Sequence, residues 1–177
     1  MVRAKIVDYF RNHFTEALVV RPTLDGVTFA SLSKMDRGGM VVPFSDEENK
    51  TVVLESDGAK SPGPDGFNFS FYKRFWDLLK GEVGIMLNQF FHYATLPRSF
   101  SSYFITLIPK VPSPVRIGDF RPISLLGSLY KLVAKVLAGR IAPVIDKIIS
   151  SNQPSFIKGR QLVDGVVAVN EIINVAR

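Results

Sequence analysis

YFITLIPKVPSPVRIGDFRPISLL, residues 103–126, decides the fold class. Its first seven residues are β-branched, aromatic, leucine or a closing proline, too few for a stable helix, so they predict a strand. PSPVRIGD is loop chemistry, and DFRPISLL is a second extended segment. Pro122 disfavours the helical region for Arg121 and cannot donate to a central ladder, so the two segments predict a hairpin with one irregular strand. Side chains alternate faces along a strand: Thr106, Ile108 and Lys110 share one face, and Asp119 and Arg121 share one face of the return strand. A lysine point charge and an arginine fork on so short a hairpin suit a triphosphate or a nucleic-acid backbone. The same two charges also suit a plain edge strand, where they discourage aggregation.

On the N-terminal side of the hairpin, Ile6, Phe10, Phe14 and Leu18 recur every four residues and predict an amphipathic helix over 2–20. Residues 21–44 mix Pro, Gly and Asp with short apolar pieces and read as a connector. Ser45 opens a second helix through a capping box with Glu48, ending near Asp57–Gly58. SPGPDGF (61–67) combines two φ-fixing prolines, two glycines and Asp65 into a rigid turn. Phe71, Phe75, Leu79, Val83, Leu87 and Phe90 then mark a helix pair, with Gly81 and Gly84 as expected break points.

On the C-terminal side, Leu129, Leu132, Val133, Val136, Leu137, Ile141, Ile145 and Ile148 mark one long helix, kinked by Gly139 and Pro143. A turn at Ser150–Pro154 precedes a last helix, from Leu162 to Arg177. The class is α+β and helix-dominated, with one short antiparallel β-hairpin.

The 177 residues are 46% hydrophobic with 14 Phe, too apolar for a disordered tail, and no apolar run approaches the roughly 20 residues of a membrane span. No signal-peptide core precedes the first helix, so an intracellular, non-secreted protein (nuclear or cytoplasmic) is expected, and the sequons at Asn49 and Asn68 read as chance. Cysteine is absent, which excludes disulfides, thiolate zinc sites and thiol catalysis. The net charge is +6, and it is uneven. Residues 1–50 carry seven basic and seven acidic side chains; residues 98–177 carry eleven and four. A basic half joined to a neutral one points to a polyanionic partner, nucleic acid ahead of membrane.

Familiar chemical motifs are missing. The glycines of SPGPDG match neither dinucleotide nor P-loop spacing, and no G-x-S-x-G occurs. His13 and His92 are isolated, and Asp57, Asp65, Asp119, Asp146 and Asp164 each fall near a turn or helix end, where Asp serves the backbone.

Five blocks in order, KSPGPDGFNFSFYKRFW (60–76), LIPK (107–110), DFRPISL (119–125), YKLVAKVLAGRI (130–141) and NQPSFIKGRQLVDGV (152–166), resemble reverse transcriptases of plant non-LTR retrotransposons of the long interspersed element type. The opening NHF…RPTLDGVTF…FSDEE also looks like the segment between the endonuclease and polymerase parts of such polyproteins. The resemblance implies a helical connector over 1–59, followed over 60–177 by the fingers and the start of the palm of a right-hand polymerase. It implies that Arg121 contacts the triphosphate of an incoming dNTP, with Lys110 as a second cation. It places Gln153, Phe156, Lys158 and Arg160 near the RNA template and DNA primer.

The family's polymerases use two magnesium ions held by palm aspartates. Those aspartates are expected beyond Arg177, and no Asp-Asp pair occurs in the sequence. The resemblance therefore implies a fragment with no catalytic or metal-binding residue of its own, inactive alone. Apolar faces of its last two helices would lack the palm sheet that covers them, lowering solubility. A reading from another class is a non-catalytic module that holds RNA or single-stranded DNA on its basic half.

Overall fold

The order of elements is α1 (Val2–Phe14), α2 (Lys34–Met40), α3 (Asp46–Glu55), α4 (Phe69–Arg74), α5 (Trp76–Tyr93), β1 (Tyr103–Pro109), β2 (Phe120–Leu126), α6 (Ser128–Ile141) and α7 (Leu162–Val175). This computed structural model describes all residues except 1, 17–19, 22, 24, 27, 151, 152, 154–156, 158, 176 and 177, and only the backbone of 2, 162 and 164. The fold is mostly helical, with β1 and β2 forming one short antiparallel hairpin. Two compact units divide the chain: residues 1–28 with 105–123, and residues 29–104 with 124–177.

The larger unit holds the main core, where α3 packs on α4, α5 and α6. Val53, Leu87, Leu132 and Val136 are fully shielded, with Phe69, Tyr72, Trp76, Val83 and Val133 around them. Each truncation of such a leucine to alanine costs about 2–5 kcal/mol, so this cluster sets the stability of the unit. Asn49 is buried beside it and Asn68 caps α4 by accepting from the Phe71 amide at 3.3 Å, so both sequon asparagines have structural places. In the smaller unit, α1 buries Phe10, stacked on Phe14.

Several element boundaries differ from the sequence expectation, each for a local reason. The first helix ends at Phe14, where the Thr15 hydroxyl and amide both donate to the Arg11 carbonyl. The connector contains α2, capped by Ser33, whose hydroxyl oxygen accepts from the Asp36 amide at 3.1 Å. The helix pair breaks at Phe75 (φ −111°, ψ 23°), not at the glycines. Gly81 and Gly84 lie inside α5, whose inward positions Trp76, Val83 and Leu87 keep helical spacing.

Pro143 ends α6 where a kinked continuation was expected. The helix closes at Ile141, and only a short turn of 3₁₀ helix follows at Ile145–Lys147. With no N–H on Pro143, the Gly139 carbonyl loses its helical partner. The last helix is α7, with Val163, Val166, Val169, Ile172 and Val175 each more than half exposed. No helix among the described residues is long and apolar enough to cross a membrane.

Candidate functional site

The hairpin register follows from one hydrogen bond and the strand bounds. The Lys110 amide donates to the Asp119 carbonyl at 2.7 Å, and Tyr103–Pro109 runs against Phe120–Leu126 residue for residue. Lys110 thus faces Asp119, Ile108 faces Arg121, and Thr106 faces Ile123. Hydrogen-bonded and non-hydrogen-bonded pairs alternate in an antiparallel ladder. Pro109 (facing Phe120) and Pro122 (facing Leu107) both fall on the non-hydrogen-bonded pairs. Their missing donors point away from the partner strand, so β2 is a regular strand rather than the irregular one expected.

This register puts Lys110 and Arg121 on the same face as diagonal neighbours, about 7–8 Å apart along the backbone and within reach of a shared anion. Both are exposed, as are Thr106, Ile108 and Ile123 between and below them. The Lys110 ammonium donates to the Gly118 carbonyl at 3.0 Å and keeps two further donors. Arg121 has no side-chain hydrogen bond or ion pair among the described residues.

Asp119 lies on the same face but serves the loop. Its Oδ2 accepts from the amides of Arg116 (2.8 Å) and Val115 (3.0 Å). Those two amides, in that order, hold its carboxyl below the ordinary value, and the Lys110 charge adds to them. The loop of 111–118 is thereby closed onto the base of β2, which fixes where Lys110 leaves β1.

The FIKGR block presents a different picture. Arg160 donates from Nε and Nη2 to Asp146 Oδ1 (3.1 and 2.9 Å), from Nη1 to the carbonyls of Ser150 (2.6 Å) and Gln153 (2.8 Å), and from Nη2 to that of Ile149 (3.1 Å). Arg160 and Gln153 are thus brought together, through the Gln153 backbone, as the closure of a turn. Phe156 and Lys158 lie outside the described residues. The hairpin cations and Arg160 belong to different compact units.

Three arrangements escape sequence reasoning. In the first, Asp65 Oδ2 accepts from the Ser128 amide (2.5 Å) and hydroxyl (2.6 Å), capping α6 from 63 residues away. Ser128 Oγ lies 2.9 Å from the Tyr72 hydroxyl, which is buried and pushed up, first by desolvation. Gly63 meets the Leu126–Gly127 backbone so closely that a Cβ would sit 2.3 Å from the Leu126 carbonyl carbon. The SPGPDG turn is therefore a latch on the β2–α6 junction.

In the second, Arg140 binds Glu48 bidentately (Nε–Oε1 and Nη2–Oε2, both 2.7 Å) and donates to the carbonyls of Met40, Val42 and Pro43. Its guanidinium carbon lies 4.2 Å from the Phe44 ring centroid. Those bonds to Arg140 hold the Glu48 carboxyl below its ordinary value, against the opposing effect of burial. The third is a lysine-lined groove beside α6. No sequence spacing joins residues 48 and 140, or 65 and 128, so no local signal could have found the first two.

Among the described residues no three His, Asp or Glu side chains converge. Asp57 accepts from the Ala59 amide, Asp65 caps α6, Asp119 holds its loop, Asp146 pairs with Arg160, and Glu48 pairs with Arg140.

No protein-family model matches the chain. Curated relatives do. A Transposon TX1 uncharacterized 149 kDa protein of Xenopus laevis is 30% identical over 153 residues, 86% of this chain and 12% of that protein. A retrovirus-related Pol polyprotein from type-1 retrotransposable element R2 of Nasonia vitripennis is 24% identical over 135 residues, 76% of this chain and 12% of that protein. The chain spans about an eighth of the length of the curated relatives it matches. It is homologous to Pol-related proteins of non-LTR retrotransposons.

Proposed function

We propose that this chain is a fragment of an RNA-directed DNA polymerase from a non-LTR retrotransposon of the plant long interspersed element type. In this reading residues 1–59 lead into the polymerase, and residues 60–177 form the fingers and the start of the palm. The exposed face of the hairpin grips the triphosphate of an incoming dNTP, while an RNA template and DNA primer complete the complex. Arg121 supplies a planar fork that fits two phosphate oxygens, and Lys110 supplies a point charge beside it. The observation that carries the reading is the Arg121 side chain, without a partner among the described residues and placed diagonally to Lys110 by the hairpin register. An arginine kept only for edge protection would need no second cation in register.

The carboxylates that would hold magnesium are assigned to the remainder of the polymerase, so the chain by itself incorporates no nucleotide. Binding of a fluorescent dNTP to the wild-type chain and to Arg121→Ala tests the hairpin. Loss of one charge-assisted fork removes about 1.5–3 kcal/mol, which weakens the affinity roughly tenfold to a hundredfold. An unchanged affinity refutes the assignment. Primer extension on an RNA template with magnesium tests the inactivity, and any incorporation by the purified chain overturns it.

A further inference from the structure

Ser113 stands in the loop that joins β1 to β2, and the hairpin reading gives it no task. Its surroundings, VPSPVR (111–116), put a proline directly after it and an arginine three residues on. Ser113 and Arg116 are exposed, and the Ser113 hydroxyl has no hydrogen-bond partner among the described residues. Its φ is +56°, a left-handed value that side chains rarely adopt, and the proline that follows disfavours it further by favouring extended backbone at the preceding residue. Pro112 and Pro114 carry no N–H, and Asp119 secures the loop only from Val115 onward, through the Val115 and Arg116 amides. Residues 111–114 can therefore straighten without giving up a ladder bond, and straightening relieves the strain at Ser113.

The sequence holds one other Ser-Pro step, Ser61–Pro62, and it differs in both respects. Three residues on stands Pro64, not a cation. The Ser61 carbonyl accepts from the Lys131 ammonium at 3.0 Å, and Gly63 is wedged against the Leu126–Gly127 backbone, so extending that segment opens the latch.

We infer that Ser113 is a phosphoacceptor for a proline-directed protein kinase. Such an enzyme draws a short segment through its cleft in extended form, which this loop can supply. The Arg116 fork offers acidic groups of the kinase a charge-assisted contact. In the transfer, Ser113 Oγ attacks the γ-phosphorus of ATP held by the kinase. The Oγ–phosphorus bond forms, the bond from that phosphorus to the β–γ bridging oxygen breaks, and ADP leaves; the hydroxyl proton passes to the kinase's general base. The product carries about −1.5 to −2 charges at pH 7. Lys110, Arg116 and Arg121 against Asp119 give residues 103–126 a net charge of +2, so one phosphate cancels it. Phosphorylation thereby switches off the attraction of the hairpin for anions. This consequence rests on the dNTP reading of the hairpin; the assignment of the acceptor does not.

Incubation of the full chain with ATP and a purified cyclin-activated, proline-directed kinase, read by intact-mass and fragment mass spectrometry, tests the assignment. One phosphoryl group is expected, on Ser113. In Ser113→Gly, whose glycine suits the positive φ, only the Ser61 step remains, and incorporation is expected to fall about tenfold or more. Arg116→Ala loses the charge-assisted contact and slows incorporation by about tenfold, and Arg116→Lys recovers most of the rate. Modification of Ser61 as fast as Ser113 overturns the inference, as does an unmodified chain in a mixture that turns over a Ser-Pro-x-Arg peptide. The affinity for a fluorescent dNTP should fall roughly tenfold to a hundredfold in the chain modified at Ser113, and stay unchanged in Ser113→Gly treated alike. If Arg121→Ala weakens dNTP binding but the phosphate does not, the switch is refuted. If Arg121→Ala weakens nothing, the hairpin reading fails instead, and the mass spectra still decide the acceptor.

Discussion

Arg121 and Arg140 carry the same guanidinium into opposite surroundings. On the exposed face of the hairpin Arg121 touches no acceptor among the described residues, whereas Arg140, its side chain 11% exposed, binds one carboxylate twice and three carbonyls at the end of α6. Arg160 resembles Arg140, being engaged by Asp146 and three carbonyls. The basic surplus of residues 98–177 is therefore two populations. One part ties distant segments of the fold together, and another part keeps its donors available. A charge count cannot separate them, because both raise the isoelectric point equally.

The sharpest way to break this contrast is to remove Arg140. Arg140→Ala leaves the Glu48 carboxylate half-buried beside three unpaired carbonyls, a loss of about 3–5 kcal/mol. For a chain of this size that lowers the thermal midpoint by roughly ten degrees or more. Arg140→Lys keeps the charge but not the fork, and is expected to recover less than half of it. A shift of only a degree or two in calorimetry would mean that Arg140 is as dispensable as a surface cation.

A smaller loss is expected at the latch. Gly63→Ala drives a methyl group into the Leu126 carbonyl carbon, and both partners are backbone, so neither can rotate aside. Overpacking of this kind costs about 1–3 kcal/mol. Urea melting of the variant measures it, with an unchanged midpoint counting against the close approach.

Acid provides a further measure of the Arg140 pair. The Glu48 carboxyl is lowered in the folded chain from an ordinary value of 4.5. Its contribution to stability is therefore complete above that value and is lost as pH falls through the lower, folded one. Thermal midpoints taken from pH 7 down to pH 3 should converge for wild type and Glu48→Gln at the acid end and diverge above it. Parallel curves would remove Glu48 as the titrating partner.

Where such contacts could be foreseen depended on sequence distance. The strand at 103–109, its partner at 120–126, the cap at Ser45 and the turn at SPGPDG were legible, because alternation, proline placement and three-residue capping are local. The face shared by Lys110 and Arg121 needed only the register. The Gly81 and Gly84 breaks failed because packing of Trp76, Val83 and Leu87 overrides the low helix propensity of glycine. The kink at Pro143 failed because nothing carried the helix past the lost hydrogen bond. Asp65 was legible as a turn residue, since one oxygen does accept from the Phe67 amide at 3.3 Å, but its second oxygen caps a helix 63 residues on. Only folding brings those two together, as it does the lysines of the groove.

The smallest expected change in stability belongs to Arg121, and it sharpens the comparison most. With no side-chain partner among the described residues to abandon, Arg121→Ala should move the thermal midpoint by less than the equivalent of about 0.5 kcal/mol, the range of surface substitutions away from special features. The same variant should lose dNTP affinity, so stability and binding separate at this residue, whereas at Arg140 a loss of stability carries any loss of binding with it. Arg121→Lys divides the effect further. If the fork matters, lysine retains the stability and recovers only part of the affinity, since a point charge satisfies one phosphate oxygen where the guanidinium satisfies two. Full recovery by lysine would reduce Arg121 to a generic positive charge. The hairpin would then act as part of a polyanion surface, and the triphosphate assignment would lose its geometric basis.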